Sequence, residues 1–117
     1  MVGIVPLQAI QCTTIPDPDT KQPTVFLPVS VIKGVPKSYM AEWEEVDVTL
    51  LRLTFRDPKT MAMNKRYRIV RNNTGACWTS VPRSWLRNIG ARQGDELVLI
   101  KDPLSEGAYL LEYREGK

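Results

Sequence analysis

No part of the chain limits its fold more than the stretch between Ser80 and Ile100, where a proline and two glycines leave the backbone few options. Pro82 lacks an amide hydrogen, so it ends the strand before it and suits the first helical position, with Ser80 or Val81 at the cap. Gly90 enters positive φ without a Cβ penalty and closes the helix after one or two turns. Trp85, Leu86 and Ile89 fall on the buried side of that helix. Gly94 and Asp95 then turn the chain into the apolar run 96–101. Upstream, residues 66–71 and 76–81 read as strands joined by the turn Asn72, Asn73, Thr74, Gly75. Downstream, a loop at 102–107 leads into a last strand at 108–114. The second half is therefore a β-β-α-β-β unit of short elements.

The first half is punctuated differently. Three prolines and two aspartates make 15–23 a loop, flanked by β-like runs at 7–14 and 24–32. Pro28 belongs at the end or on an edge of the second run. Residues 36–45 begin with proline and continue with helix formers, which predicts a short helix carrying Tyr39 and Trp43 on one face. In 46–55 the alternation switches from Val46, Val48 and Leu50 to Leu51, Leu53 and Phe55, as in a strand with a bulge or a change of buried face. Asp57 and Pro58 break this run, dividing the chain into halves 1–57 and 58–117 of one unit.

Charge separates the halves as well. Residues 1–63 carry six Lys/Arg against seven Asp/Glu, a net of −1; residues 64–117 carry ten against six, a net of +4. Lys65, Arg66, Arg68, Arg71, Arg83, Arg87 and Arg92 occur between Lys65 and Gly94 with no acid among them. A solvated basic face is the ordinary reading of such a run and a polyanion-binding face the functional one. Cys12 and Cys77 are too few for a disulfide framework, and no histidine completes a zinc site. Two reduced structural thiols are expected, with a single disulfide as the other option. Lack of histidine removes the commonest general base, and no nucleophile motif, metal cluster or phosphate-cradling glycine loop is present, so the expectation is a non-enzyme without cofactor or small-molecule substrate. The chain has neither an apolar run long enough to span a bilayer nor the basic flank and cleavage site of a signal peptide, so a cytoplasmic protein with no membrane partner is expected.

The succession of Ile69, Val70 and Arg71, then Ser80, Val81 and Pro82, then Trp85, Leu86, Arg87, Asn88, Ile89 and Gly90, then Gly94, Asp95 and the apolar strand resembles the AbrB/MazE/SpoVT family of swapped-hairpin transcription factors and antitoxins. The resemblance covers about residues 64–117. It implies intertwined dimers whose hairpins interleave into a small β-barrel, with arginines near the first strand and the short helix gripping double-stranded DNA. Arg71 and Arg87 fall where the family keeps arginines, whereas Trp78 and Leu86 occupy the other two such positions. The residues themselves add candidates. Arg66 and Arg68 alternate onto one face of the first strand, Arg83 and Arg87 lie four apart on the helix, and Arg92 follows it. Arg66, Arg68, Arg71, Arg83, Arg87 and Arg92 would together form a continuous DNA-binding strip. Trp78 reads as a core or interface aromatic, or as an exposed stacking residue. Trp85 and Tyr67 read as buried.

Residues 24–33 faintly echo 78–87 at a spacing of 54, matching Pro28 with Pro82, Ser30 with Ser84, Ile32 with Leu86 and Lys33 with Arg87. A later gap is needed to bring Asp47 onto Asp95. If residues 7–56 are a degenerate copy, the expected fold is mostly β with short helices, an AbrB-like barrel built as a tandem pseudo-dimer within one chain; otherwise the chain is a homodimer. Glu42, Glu44 and Glu45 make the first copy acidic, which predicts asymmetric DNA contact or a protein-binding role. The function expected is a DNA-binding transcriptional regulator. The alternative is an antitoxin-like or scaffold module that uses the same fold to bind protein.

Overall fold

A computed structural model describes residues 9–18 and 21–116. The beginning of the chain, including the start of the first expected strand at 7–8, positions 19 and 20 of the proline-rich loop, and Lys117 lie outside the described residues. In chain order the elements are β1 (Ala9–Thr14), β2 (Thr24–Leu27), α1 (Val29–Ile32), β3 (Met40–Asp47), β4 (Leu50–Arg56), β5 (Ile69–Arg71), β6 (Cys77–Ser80), α2 (Arg83–Asn88), β7 (Glu96–Lys101) and β8 (Tyr109–Arg114). Single 3-10 turns at Pro58–Thr60 and Met63–Lys65 link β4 to β5. The structure is thus mostly β with two short helices.

The strands form two antiparallel sheets, one ordered β1-β7-β8-β4-β3 and the other β2-β6-β5. The expected barrel is not closed. Hydrogen bonding of the larger sheet stops at β1 and β3, and that of the smaller at β2 and β5. A bridge from Ala41 to Tyr67 and backbone bonds between Ile15 and the Gly94–Asp95 turn border the larger sheet without joining the two ladders. The core lies where inward alternations meet: Val25, Leu27, Ile69 and Cys77 from the small sheet, Ala41, Trp43, Leu51, Leu53, Leu97, Leu99 and Leu111 from the large one, and Val31, Trp85 and Leu86 from the helices.

Three sequence expectations change. Residues 36–45 form no helix: one turn, closed by the Tyr39 amide donating to the Pro36 carbonyl at 3.0 Å, leads straight into β3. There Ala41 and Trp43 point into the core, while Glu42 and Glu44 pair with Arg56 (2.8 Å) and Arg52 (3.2 Å) of β4. Burial with period two outweighs the helix propensity of Met, Ala and Glu. The run 24–32 is cut at Pro28, which caps the helical turn α1 and leaves only β2 as strand. Residues 46–55 are not one strand but the end of β3, a tight turn at Val48 and Thr49, and β4, with the register shift between Glu45 and Asp47.

The registers share one relation. Val25 lies opposite Thr79, a spacing of 54, and its neighbours pair Thr24 with Ser80 and Phe26 with Trp78. Moving each residue to its counterpart 54 positions away exchanges these two flanking pairs. The next step outward, Leu27 with Cys77, maps onto residues 81 and 23, which are joined by the Val81 amide donating to the Pro23 carbonyl at 3.0 Å. In the large sheet Leu51 faces Leu111, a spacing of 60, and Leu50–Glu112 exchanges with Arg52–Leu110. The spacing grows by six where the turn after β3 is replaced by the longer 102–108 loop after β7. At the spacing of 54 Asp47 corresponds to Lys101 rather than to Asp95, and a gap would fall in the 102–108 loop. The β3–β4 and β7–β8 hairpins thus have matching registers, Trp43 with Leu53 in one and Leu97 with Tyr113 in the other, at spacings of 54 and 60.

Candidate nucleic-acid interface

The smaller sheet and both helices come from two stretches of sequence without a carboxylate, 20–41 and 58–94. The second was legible as a basic run. The first, carrying Lys21, Lys33 and Lys37, was not recognised because its lysines are sparse. Every acid on a strand sits in the larger sheet or at its margins. Folding thus sorts charge more sharply than the halves of the sequence do.

On β5 the chain is held by Ile69 in the core, and the following hairpin is rigid. Asn72 Oδ1 accepts from the Thr74 amide (3.0 Å), the Thr74 hydroxyl (2.7 Å) and the Ala76 amide (2.9 Å), and Gly75 sits at φ 87°. Arg71 stands at the base of this hairpin and donates to the Lys37 carbonyl at 3.4 Å. It lines, with Arg68, Lys37 and Tyr39, a groove of about 470 Å³ between β5 and the turn before β3. Lys37 is the basic residue that sequence reasoning missed here.

A second group lies on α2. Pro82, with extended backbone, is itself the cap, one residue later than expected, and no side chain caps the helix. Its other end closes as expected: the Gly90 amide donates to the Arg87 carbonyl (3.1 Å) and the Ala91 amide to the Leu86 carbonyl (3.0 Å), with Gly90 at φ 69°. Trp85 and Leu86 anchor the helix in the core and turn Arg83 and Arg87 into a small hollow with Pro18 and Ala91. Arg83 Nε is buried and has no hydrogen-bond partner among the described residues.

The other two candidates stand apart. Neither Arg66 nor Arg68 is on β5, which begins only at Ile69; Arg66 ends the preceding 3-10 turn and donates from a guanidinium nitrogen to the Met61 carbonyl at 3.2 Å. It therefore shares no strand face with Arg68. Arg92 is exposed but shares its hollow with Asp95, Tyr113 and Glu115, so carboxylates offset its charge. Asp95 there accepts from Tyr113 Oη (2.5 Å), the Gly116 amide (2.8 Å) and the Arg92 amide (2.8 Å). These bonds, that of Tyr113 foremost, hold its carboxyl below the usual range, while burial and the neighbouring carboxylate push the Tyr113 phenol up to about 12.

Aromatic placement completes the face. Trp43 and Trp85 are buried, their indole N–H groups donating to the Ser80 and Val48 carbonyls, both at 3.0 Å. Trp78 is half-buried on the outer side of β6, edge to face with Phe26 of β2 at 5.9 Å between ring centroids. Tyr67 is half-buried against the core. Cys77 is buried but Cys12 is exposed, and both thiols are free, so only one behaves as a structural thiol and no disulfide joins them.

No family model, curated protein or solved structure matches this chain. Functional inference for it rests on its own residues. Among the described residues no helix is long and apolar enough to cross a membrane.

Proposed function

We propose that this chain is a DNA-binding protein, a transcriptional regulator built as a tandem pseudo-dimer of AbrB-like swapped-hairpin units. One observation carries the DNA reading: the small sheet and both helices contain no carboxylate, and they carry two basic sites, the groove of Arg68, Arg71 and Lys37 and the hollow of Arg83 and Arg87, at which a polyanion can be held. Arginine–phosphate contacts supply salt-sensitive affinity, and the rigid hairpin after Arg71 holds that residue in place. The tandem arrangement is supported by the matching registers of the β3–β4 and β7–β8 hairpins at spacings of 54 and 60.

The test is anisotropy of a labelled short duplex titrated at several salt concentrations. Wild type should bind with a steep salt slope, and Arg71→Glu and Arg87→Glu should each flatten it and weaken binding. Absence of duplex binding at low salt refutes the duplex-binding reading. A second reading, a scaffold that binds protein, is favoured by the outer edge of β3, which carries Glu42, Glu44 and Glu45 and ends the larger sheet. A partner strand added there would slow amide exchange over residues 42–47, an effect DNA would not produce.

A further inference from the structure

The outer face of the small sheet carries a row that phosphate contact leaves unused. Phe26, Trp78 and Val70 are direct cross-strand partners on β2, β6 and β5, so their side chains share one face. The partners one step along, Val25, Thr79 and Ile69, form the buried row beneath. Val70 is 53% exposed, and Phe26 and Trp78 are half-buried. The groove of Arg68, Arg71 and Lys37 opens beside Val70 at the β5 edge. We infer that this row is a stacking platform for the unpaired bases of a single-stranded nucleic acid, whose backbone runs along the adjacent basic groove. The inference rests on the polyanion-binding reading and specifies its ligand.

Dimensions argue for an unpaired strand at this face. A duplex major groove about 12 Å wide admits a helix or a two-stranded ribbon. Three strands already span about 10 Å between outer backbones before side chains are added, so this face does not enter the groove. Bases inside a duplex present no ring faces, whereas each base of a single strand does, and an aromatic side chain offers a sequence-tolerant surface for it. A second copy of the chain is disfavoured as occupant because two carboxylate-free, basic faces would be brought together.

Trp78 supplies its own signal, because the other two tryptophans are buried in the core. The experiment titrates the full chain with a twelve-nucleotide oligo(dT), the matching oligo(rU), and a duplex of the same length, following tryptophan emission and anisotropy together. Expected are binding of both single strands and quenching of tryptophan emission by them but not by the duplex. Trp78→Leu, which keeps apolar packing but removes the ring face, should lose about tenfold in single-strand affinity, while Trp78→Phe keeps most of it. Circular dichroism and urea unfolding check that both variants fold. A preference for oligo(rU) over oligo(dT) supports the platform and identifies the strand as RNA. Several outcomes overturn the inference. Salt-sensitive duplex binding without quenching leaves the DNA reading standing and removes the platform. Equal single-strand affinity of wild type and Trp78→Leu also removes it. A wild-type dimer converted to monomer by Trp78→Leu assigns the row to contact between copies. Failure to bind any of the three nucleic acids refutes both proposals.

Discussion

Leu51 and Leu111 face each other where β4 meets β8, at the positions that the proposed tandem repeat makes equivalent, and neither is more than 1% exposed. Truncating either to alanine removes three buried carbons and leaves a cavity that the flanking ladder, fixed on both sides by β3 and β7, has little freedom to close. Such changes cost about 2–5 kcal/mol, and full burial between strands puts both residues near 3–4. With an unfolding entropy of roughly 2.1 cal/mol/K per residue, a loss of 3 kcal/mol lowers Tm by about 12 °C for a chain of this length. Because the proposed repeat makes the two positions equivalent, the single costs should agree within about 1 kcal/mol. Because the residues share one contact and one cavity, the double variant should cost less than the sum by more than about 0.5 kcal/mol. Urea unfolding of wild type, both singles and the double, analysed at constant slope, measures all four. Strict additivity, or a difference of 2 kcal/mol between the single variants, would show that the pair does not share an environment and would refute the equivalence of the two positions.

Three further outcomes follow from the described contacts. Asp95 has a depressed carboxyl pKa in the folded chain, so its contribution is present above its unfolded value and is lost as pH falls through the folded one. The Tyr113 phenol is raised to about 12, so its contribution is complete below the ordinary tyrosine value and is lost as pH climbs toward 12. Tyr113→Phe should remove the alkaline loss and shift the acid one to higher pH, as read by urea midpoints across pH; an unchanged profile would contradict the Tyr113–Asp95 bond. Arg52→Met, which leaves the buried Asp102 carboxylate with backbone donors such as the Leu104 amide (2.9 Å) but no cation, should cost about 1.5–3 kcal/mol in the same assay, and a loss below 0.5 would show that the 3.1 Å pair is not maintained. A thiol reagent should modify Cys12 in the folded protein and reach Cys77 only on unfolding, so two fast-reacting thiols would disprove the burial of β6.

Legibility followed the kind of signal. Around α2 and β7 the chain spells its own turns: Pro82, Gly90 and Gly94 force the backbone whatever surrounds them, and β7 runs from Glu96 to Lys101 as the sequence predicts. In β3 no residue forces anything. Its helix-forming residues take up a strand only because Ala41 and Trp43 find the core and Glu42 and Glu44 find arginines on β4, partners invisible to local reading. Arg66 was misplaced for a related reason, since β5 begins three residues later and the chain before it is wound into 3-10 turns. The candidate interface was half legible. Helical spacing placed Arg83 and Arg87 together, as they stand in one hollow, but Lys37 meets Arg68 and Arg71 only through tertiary contact, and the row of Phe26, Trp78 and Val70 exists only because three strands distant in sequence come into register.

On the tandem reading proposed above, the stretch between β4 and β5 joins the two halves covalently, and this would change what selection can reach. In a homodimer every substitution appears on both sides of the axis, and folded protein is lost on dilution; in a fused pair each side mutates alone, and its assembly does not depend on concentration. One side can therefore gather arginines while its counterpart gathers glutamates. If the proposed nucleic-acid reading holds, the ligand need not be a palindrome, and a fused pair would have a defined direction on it.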